Sequence, residues 1–503
     1  VSEKSIIVIG AGIAGLSAGC YGQMNGYHIR IFEQGARPGG LCTSWERKGF
    51  TINGGLTFLA GSGPGTNFYR IWQELGVVPK IRMIDYEYFV IVEGKREQKF
   101  LMHTDVDRLE RHMRELAPED ERAIGEFIQA VRIFAEYPLP IEKAQELQTP
   151  LDKMKLLLTR FPLIRTMGKW RKVSIREFAN RFKNPFLREA LFQSKALFSE
   201  DLPVMLIHLF IAGSHLKSAG YPEGGGLVFS QAIEKRFLDL GGAIEYKSRV
   251  DKILVENNRA VGIRLEDGSR HCADYVISAA DGRTTLFHML DENYIDDKIR
   301  DCYESFPLCT PVVVVALGIS RQFENLPHSA AGIIYPLKEP VSIGGLKIER
   351  LRPMIYNFDP TLAPDGKTLM RVVLPADYDY WKELRDHNHR YNGEKDKVAE
   401  IVIRLLEQRF PGISSDVEMQ DVATPLTFES YTGSWKGSII GWDVTTKTVF
   451  KPLPKTLPGL ENFWMAGQWV EPGGGIPFVA LSGRNVTQLI TKRDKRTFIT
   501  KIS

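Results

Sequence analysis

Cysteine is scarce in this sequence: five in 503 residues, namely Cys20, Cys42, Cys272, Cys302 and Cys309. The number is odd and no C-x-x-C occurs, which argues against a disulfide scaffold or a zinc site and fits a reducing cytoplasm. No metal site is expected. Long apolar runs are also missing, since none reaches the roughly 18 residues a membrane-spanning helix needs. Neither sign of charge is in large excess: 65 basic against 61 acidic residues leave +4, too mild a balance to imply nucleic acid. No basic, then apolar, leader pattern precedes the first strand-like run, so no secretory signal is expected. Hydrophobic residues at 43% and charged residues at 25% form an ordinary globular balance and exclude disorder. The length exceeds what one hydrophobic core serves, so two or three domains are expected.

The first fifty residues are the most informative. Ile6-Ile7-Val8-Ile9 is wholly apolar, as a buried parallel strand requires. Gly10-Ala11-Gly12-Ile13-Ala14-Gly15 follows at once, then a helix over Leu16–Met24 ending near Asn25-Gly26. A second strand, His28–Phe32, ends at Glu33. Strand, G-x-G-x-x-G, helix, strand, acid is the full dinucleotide-binding order. Gly10 allows the tight turn, Gly12 lets backbone approach a pyrophosphate, and Gly15 lets helix and strand pack closely. The helix start offers free N–H groups and a positive dipole end to phosphate. Glu33 can accept hydrogen bonds from ribose hydroxyls. A bare glycine fingerprint also marks ordinary βα turns. Two further glycine pairs, in Arg37-Pro38-Gly39-Gly40-Leu41 and Gly49-Phe50-Thr51-Ile52-Asn53-Gly54-Gly55, are not typical of a plain NAD domain.

The run from Val8 to Gly55 resembles the FAD-binding opening of the phytoene desaturase, carotenoid isomerase and retinol saturase superfamily, itself related to amine and protoporphyrinogen oxidases. Asn53 departs from that pattern, standing where the carotenoid enzymes commonly carry Asp. The resemblance returns at Tyr221-Pro222-Glu223-Gly224-Gly225, followed by a helix over Leu227–Leu240. Strands are expected over Ala243–Val250, Lys252–Glu256, Ala260–Leu265 and Tyr275–Ala280, with turns at Asn257-Asn258 and Asp267-Gly268. It returns again at Asn462-Phe463-Trp464-Met465-Ala466-Gly467-Gln468, then Glu471-Pro472-Gly473-Gly474-Gly475-Ile476, before a closing helix over Phe478–Ile490. Three consecutive glycines there suit backbone N–H groups reaching an electron-rich acceptor. Gln468 stands where many related flavoproteins have Asp. Glu471 stands where phytoene desaturases often have His.

The resemblance implies non-covalent FAD held by Gly10, Gly12, Ile13, Ala14, Gly15, Glu33, Gln34, Arg37, Gly39, Gly40, Leu41, Gly55, Leu56, Val250, Ala280, Gly467, Gln468, Gly475 and Ile476. Val250 read alone is simply a core valine. Glu471 is the candidate acid or base for a proton, against the plainer role of a turn-capping glutamate. No second nucleotide fingerprint is visible, so no built-in NAD(P)H domain is expected.

Between these segments the pattern is looser. Asp105–Leu116 and Glu119–Phe134 read as amphipathic helices joined at Pro118. From Lys153 to Lys172 the chain carries Lys153, Lys155, Arg160, Arg165, Lys169, Arg171 and Lys172 with no acid, interleaved with large apolar residues. Either an anionic membrane surface or a solvated lid helix pair fits that pattern. Leu202–Phe210 suits a core helix or a tunnel wall. Pro311–Ile319, Arg350–Phe358 and Thr368–Leu374 read as strands, Lys395–Arg409 as a helix, and Tyr431–Ser438 with Gly441-Trp442 as an aromatic loop.

The expected fold class is α/β, α+β overall. A Rossmann-type FAD-binding domain is built of discontinuous segments (1–75, 221–300 and 456–503). A mixed-sheet substrate domain (76–104 and 301–455) and a helical lid (105–220) are inserted. The resemblance implies an FAD-dependent oxidoreductase desaturating, saturating or isomerising a polyene or isoprenoid, cytoplasmic or peripheral at a membrane. Its partners are an apolar small molecule and an electron donor or acceptor that no motif identifies; nucleic acid is not among them. Two rivals stand beside it. One is an amine or porphyrinogen oxidase, with Tyr431 and Trp442 or Trp469 as an amine cage. The other is a prenyl-lipid carrier resembling Rab GDP-dissociation inhibitors, which would have no use for a pyrophosphate cradle.

Overall fold

The computed structural model describes residues 4–502 apart from Arg96, Ala196, His328, His387, Phe450 and Gly474. At its centre is a five-stranded sheet in the order Ala243–Tyr246, His28–Glu33, Ser5–Ile9, Tyr275–Ser278, Phe463–Met465, every neighbouring pair parallel. Parallel strands are covered on both faces, which is why Ile6–Ile9 carries no polar residue. Ile6 and Val8 point into one core with Ile29, Ile31 and Trp464. Ile7 and Ile9 point into another with Phe32, Val276 and Phe463. The first face is covered by the helices Ile13–Met24, Gly225–Asp239 and Gly475–Arg493. The second is covered by an antiparallel meander, Val250–Glu256, Arg259–Leu265 and Arg270–Cys272. Its first turn is Asn257-Asn258 as expected, with φ of 49° and 59°, a conformation asparagine tolerates.

Two four-stranded sheets share a separate core. One is antiparallel in the order Pro353–Ile355, Thr368–Pro375, Val312–Ile319, Val417–Ala423. The other is mixed, in the order Leu346–Leu351, Ile333–Ile343, Tyr88–Glu93, Lys99–His103. The helices Tyr378–Arg385 and Asn388–Glu407 back them. Residues between about 106 and 215 form helices whose core, including Phe127, Trp170, Phe178 and His208, continues into Val90, Val92, Phe100 and Met102 of the mixed sheet. Asp105 caps the first of these, Val106–Leu116, by accepting from Arg108 N–H at 2.8 Å.

Several element boundaries differ from the sequence reading. Ala243–Val250 is not one strand. It ends at Tyr246, Lys247 takes φ 56°, and the chain turns across the end of the sheet so that Val250 opens the meander. Arg350–Phe358 also divides, into Leu346–Leu351 and Pro353–Ile355, which belong to different sheets. The aromatic loop is partly helical: Pro425–Thr432 is closed by a capping box at Thr424 and ends at Gly433, φ 70°.

Candidate functional site

The site grows from the carboxyl ends of the strands Ser5–Ile9, Tyr275–Ser278 and Phe463–Met465, where open parallel sheets bind ligands. Gly10 leaves the first strand at φ 95°, donating its N–H to Phe32 O at 2.8 Å. A Cβ at Gly15 would lie 1.9 Å from Gly10 O, so helix and turn touch there. A Cβ at Gly12 would meet nothing within 4 Å. Gly12 is the N-cap of Ile13–Met24, and no side chain caps that helix. Among the described residues no acceptor takes the first-turn N–H groups of Ile13, Ala14 and Gly15, the condition a pyrophosphate needs.

Glu33 closes the strand His28–Glu33 and is 8% exposed. Its Oε2 accepts from Ala11 N–H at 2.7 Å and its Oε1 from Gly35 N–H at 2.6 Å. Burial pushes its carboxyl up, and the two N–H groups oppose that. Gly39 lies alongside Gly12 in a parallel bridge and donates to Ala11 O at 2.8 Å. A Cβ at Gly39 would sit 2.2 Å from Cys42 O, so its own turn needs glycine there, while Gly40 approaches the first glycine run, its Cβ position 3.6 Å from Gly12 Cα. Arg37 is exposed and donates to Ser44 O at 3.3 Å; Gln34 is half-buried and donates to Tyr431 O at 3.4 Å. Leu41 is half-buried against Val312 and Val314 of the inserted sheet.

The other segments arrive at the same place. Ala280 borders Gly10, whose Cβ position is 3.6 Å from Ala280 N. Ser248 N–H donates to Glu33 O at 2.8 Å, which sets Val250, 4% exposed, beyond the acid. Gly467 at φ 107° donates to Ser482 Oγ at 3.0 Å, and a Cβ there would contact Ala14 Cβ at 3.4 Å. Gln468 is half-buried beside Gly441. Gly475 and Ile476 open the closing helix. That helix crosses Ile13–Met24 so closely that a Cβ at Gly483 would be 2.3 Å from Ala14 O. Gly474 lies outside the described residues. Gly55 is exposed and Leu56 buried on the loop that follows Phe50–Asn53.

Asn53 is fully buried. Its Oδ1 accepts from Gly226 N–H at 3.3 Å and its Nδ2 donates to Leu56 O. An aspartate has no donor for Leu56, so the departure from the carotenoid-enzyme pattern has a local use.

Glu471, the candidate acid or base, stands in an ion pair: Lys455, 3% exposed, bonds Glu471 Oε1 at 2.7 Å and Glu146 Oε1 at 2.8 Å. Burial pushes Lys455 down, and the two carboxylates push it up by more. The amine cage is not assembled. Tyr431 is 75% exposed, while Trp442 and Trp469 are buried edge-on at 5.1 Å with Tyr303 and Trp435 filling the space around them. The sequence reading also gave no role to Asp281, which accepts from Thr284 N–H at 2.8 Å and Trp435 N–H at 2.9 Å. Its position directly after a strand end was the only sign of it.

The chain matches the family of flavin containing amine oxidoreductases over residues 13–491, and it belongs to that family. It is 24% identical over 494 residues to a prolycopene isomerase of Daucus carota, covering 96% of this chain and 79% of that one. It is 24% identical over 502 residues to a lycopene-forming phytoene desaturase of Pseudescherichia vulneris, covering 97% and 99%. Among solved structures it shares the fold of an oxidoreductase from Methanosarcina mazei, at a TM-score of 0.63 and 18% identity, covering 96% and 100%. The protein is an FAD-dependent oxidoreductase with a Rossmann-type flavin fold. An uncapped helix start, a glycine surface that a Cβ would fill and a buried acid beyond it suit FAD's pyrophosphate and ribose.

Proposed function

We propose that this enzyme desaturates, saturates or isomerises a polyene or isoprenoid lipid. The observation carrying this reading is that its likeness to a prolycopene isomerase and a phytoene desaturase runs through the inserted segments as well as the flavin half. In this reading Gly10–Gly15 and Gly39–Gly40 hold the pyrophosphate, Glu33 the ribose, and Gly467, Gln468 and Gly475 the flavin end. Bound FAD supplies hydride and electron storage. The protein supplies an apolar wall: Phe58, two residues beyond Leu56, meets Phe210 edge-on at 4.7 Å and Phe89 at 6.3 Å. Such rings exclude water and hold an extended chain without polar contacts.

Docking on an anionic membrane is part of the same proposal, because a polyene dissolves there. The helix Pro150–Thr159 has no buried residue. Leu151, Leu158 and Phe161 are 75%, 76% and 55% exposed, with Lys153 and Lys155 beside them. The next helix, Phe161–Trp170, is anchored instead: Leu163 and Trp170 are buried and Lys169 pairs with Glu126 at 3.1 Å. The insertion face is therefore narrower than the run 153–172.

FAD-loaded protein incubated with liposomes containing phytoene, prolycopene or lycopene, with products read by mass and chromatography, tests the reaction. Conversion of at least one polyene is expected. Flavin reduction by putrescine and by no polyene would favour the amine rival, and a protein that refuses FAD would favour the carrier. Flotation with anionic vesicles tests the docking. Binding is expected to weaken with salt, and Leu158→Asp with Lys153→Glu is expected to abolish it while Lys172→Glu changes it little.

A further inference from the structure

Behind the loop Asn53–Thr57 the inserted sheet holds two guanidinium groups, one buried and one half-buried, that form no ion pair with a carboxylate among the described residues. Arg371, on Thr368–Pro375, is 5% exposed. One Nη donates to Asn53 O at 2.6 Å, the other reaches only Met354 Sδ at 3.8 Å, and Nε has no partner. Arg352, at the break between two strands, is half-buried, and Gly332 makes room for it: a Cβ there would lie 2.9 Å from its Nε. Burial and the like charge of Arg371 push Arg352 down to about 10, with only Tyr86 acting the other way. Among the described residues no carboxylate forms an ion pair with either arginine.

Around them stand phenols. Tyr221 and Tyr356 are buried; among the described residues the Tyr221 hydroxyl has no partner, and the Tyr356 hydroxyl faces the Asn53 side chain. Tyr86 donates to Thr57 O at 2.6 Å, which ties the cluster to the loop carrying Gly55 and Leu56. The nearby acid, Asp359, is 1% exposed and already committed to Gly224 N–H at 2.9 Å and Thr361 N–H at 3.1 Å. Two guanidiniums less one carboxylate leave a single uncompensated positive charge in an aromatic setting. Buried charge without a partner is costly, and planar guanidinium forks match carboxylates.

We propose that Arg352 and Arg371, with the Tyr221 and Tyr356 hydroxyls, receive a carboxylate at one end of an otherwise apolar substrate. A monoanion neutralises the cluster, whereas a phosphate overcharges it. This rests on the polyene reading and narrows it to substrates carrying an acid terminus. The apolar body extends from the cluster past Leu56 toward Phe58 and Phe210.

The test is equilibrium binding of all-trans-retinoic acid, its methyl ester and lycopene to FAD-loaded protein, read by tryptophan quenching. Wild type is expected to bind the acid about 10-fold or more tighter than the ester. Arg352→Gln is expected to bring that ratio to about one while FAD content and ester binding hold. Tyr356→Phe removes only a hydroxyl and is expected to lower the ratio severalfold. Equal binding of acid and ester by wild type overturns the proposal, as does a preference that survives Arg352→Gln. Loss of FAD from Arg352→Gln, with the acid preference intact in Tyr356→Phe, would give the charge to the flavin and overturn it too. If acid, ester and lycopene all fail to bind, the polyene reading itself falls, an outcome distinct from ester binding without preference.

Discussion

Two helices of this protein open on glycine-rich turns and pack against one another, yet their ends have opposite fates. Gly225–Asp239 begins after Gly224 at φ 84°, and side chains meet its donors: Asp359 takes Gly224 N–H, Asn53 takes Gly226 N–H at 3.3 Å, and Ser44 takes Leu227 N–H at 3.3 Å. Ile13–Met24 has no side-chain cap, and Glu33 stops one residue short of its N-cap at Ala11. Glycines permit both turns. The capping partners decide which helix end is sealed into the fold and which is left for an anion.

The largest effect that could break this comparison is at Gly15. A side chain there collides with Gly10 O, so Gly15→Val is expected to cost the apoprotein about 3 kcal/mol or more, read by thermal unfolding. Unchanged melting would mean the helix and turn are not in contact. Gly12→Val sharpens the contrast, since its Cβ has free space: apoprotein stability is expected to hold within about 0.5 kcal/mol while FAD affinity falls by about 100-fold or more. Gly226→Val at the sealed helix should do the reverse to stability, because its Cβ would lie 3.0 Å from Thr43 N. If Gly12→Val keeps FAD, the open end is not the phosphate seat.

Glu33→Ala comes next, with an expected loss of about 1–3 kcal/mol in FAD binding by titration. A third turn, after Tyr275–Ser278, is sealed by Asp281, whose carboxyl burial pushes up to about 6 against the Thr284 and Trp435 N–H groups. A carboxyl raised on folding binds more protons in the native state, so its contribution is present below about pH 4 and lost as pH rises through about 6. The unfolding free energy of wild type minus that of Asp281→Asn should therefore fall by about 3 kcal/mol across that window in denaturant titrations. A difference that rises with pH would place the carboxylate in a charge-stabilising site instead. The smallest effect is Ser44→Ala, about 1 kcal/mol of stability with FAD affinity unchanged.

Much of the flavin half was legible because its constraints are local. An apolar run of period one, glycines at three spacings and an acid at a strand end report the backbone directly, and Gly10, Gly12, Gly15 and Glu33 stand where the pattern required. The inserted half was read less well. The turn at Lys247 interrupts a run in which Ile244, Tyr246 and Val250 keep one register, so periodicity alone could not find it, whereas the break at Arg352 stands beside Pro353. The basic run 153–172 fitted either a membrane face or a lid helix pair, and burial of Leu163 and Trp170 anchors its second helix while its first stays exposed.

The sequence by itself determined that a dinucleotide-binding βαβ unit opens the chain and that its companion segments lie far along it, because glycine freedom and strand periodicity act within a few residues. Only the tertiary structure decided that Glu471 pairs with Lys455, that the tryptophans fill each other's space, and that among the described residues no carboxylate forms an ion pair with Arg352 or Arg371. Those outcomes depend on which side chains distant in sequence share one desolvated volume. A charge's role there is set by its partners, and no spacing along the chain encodes them.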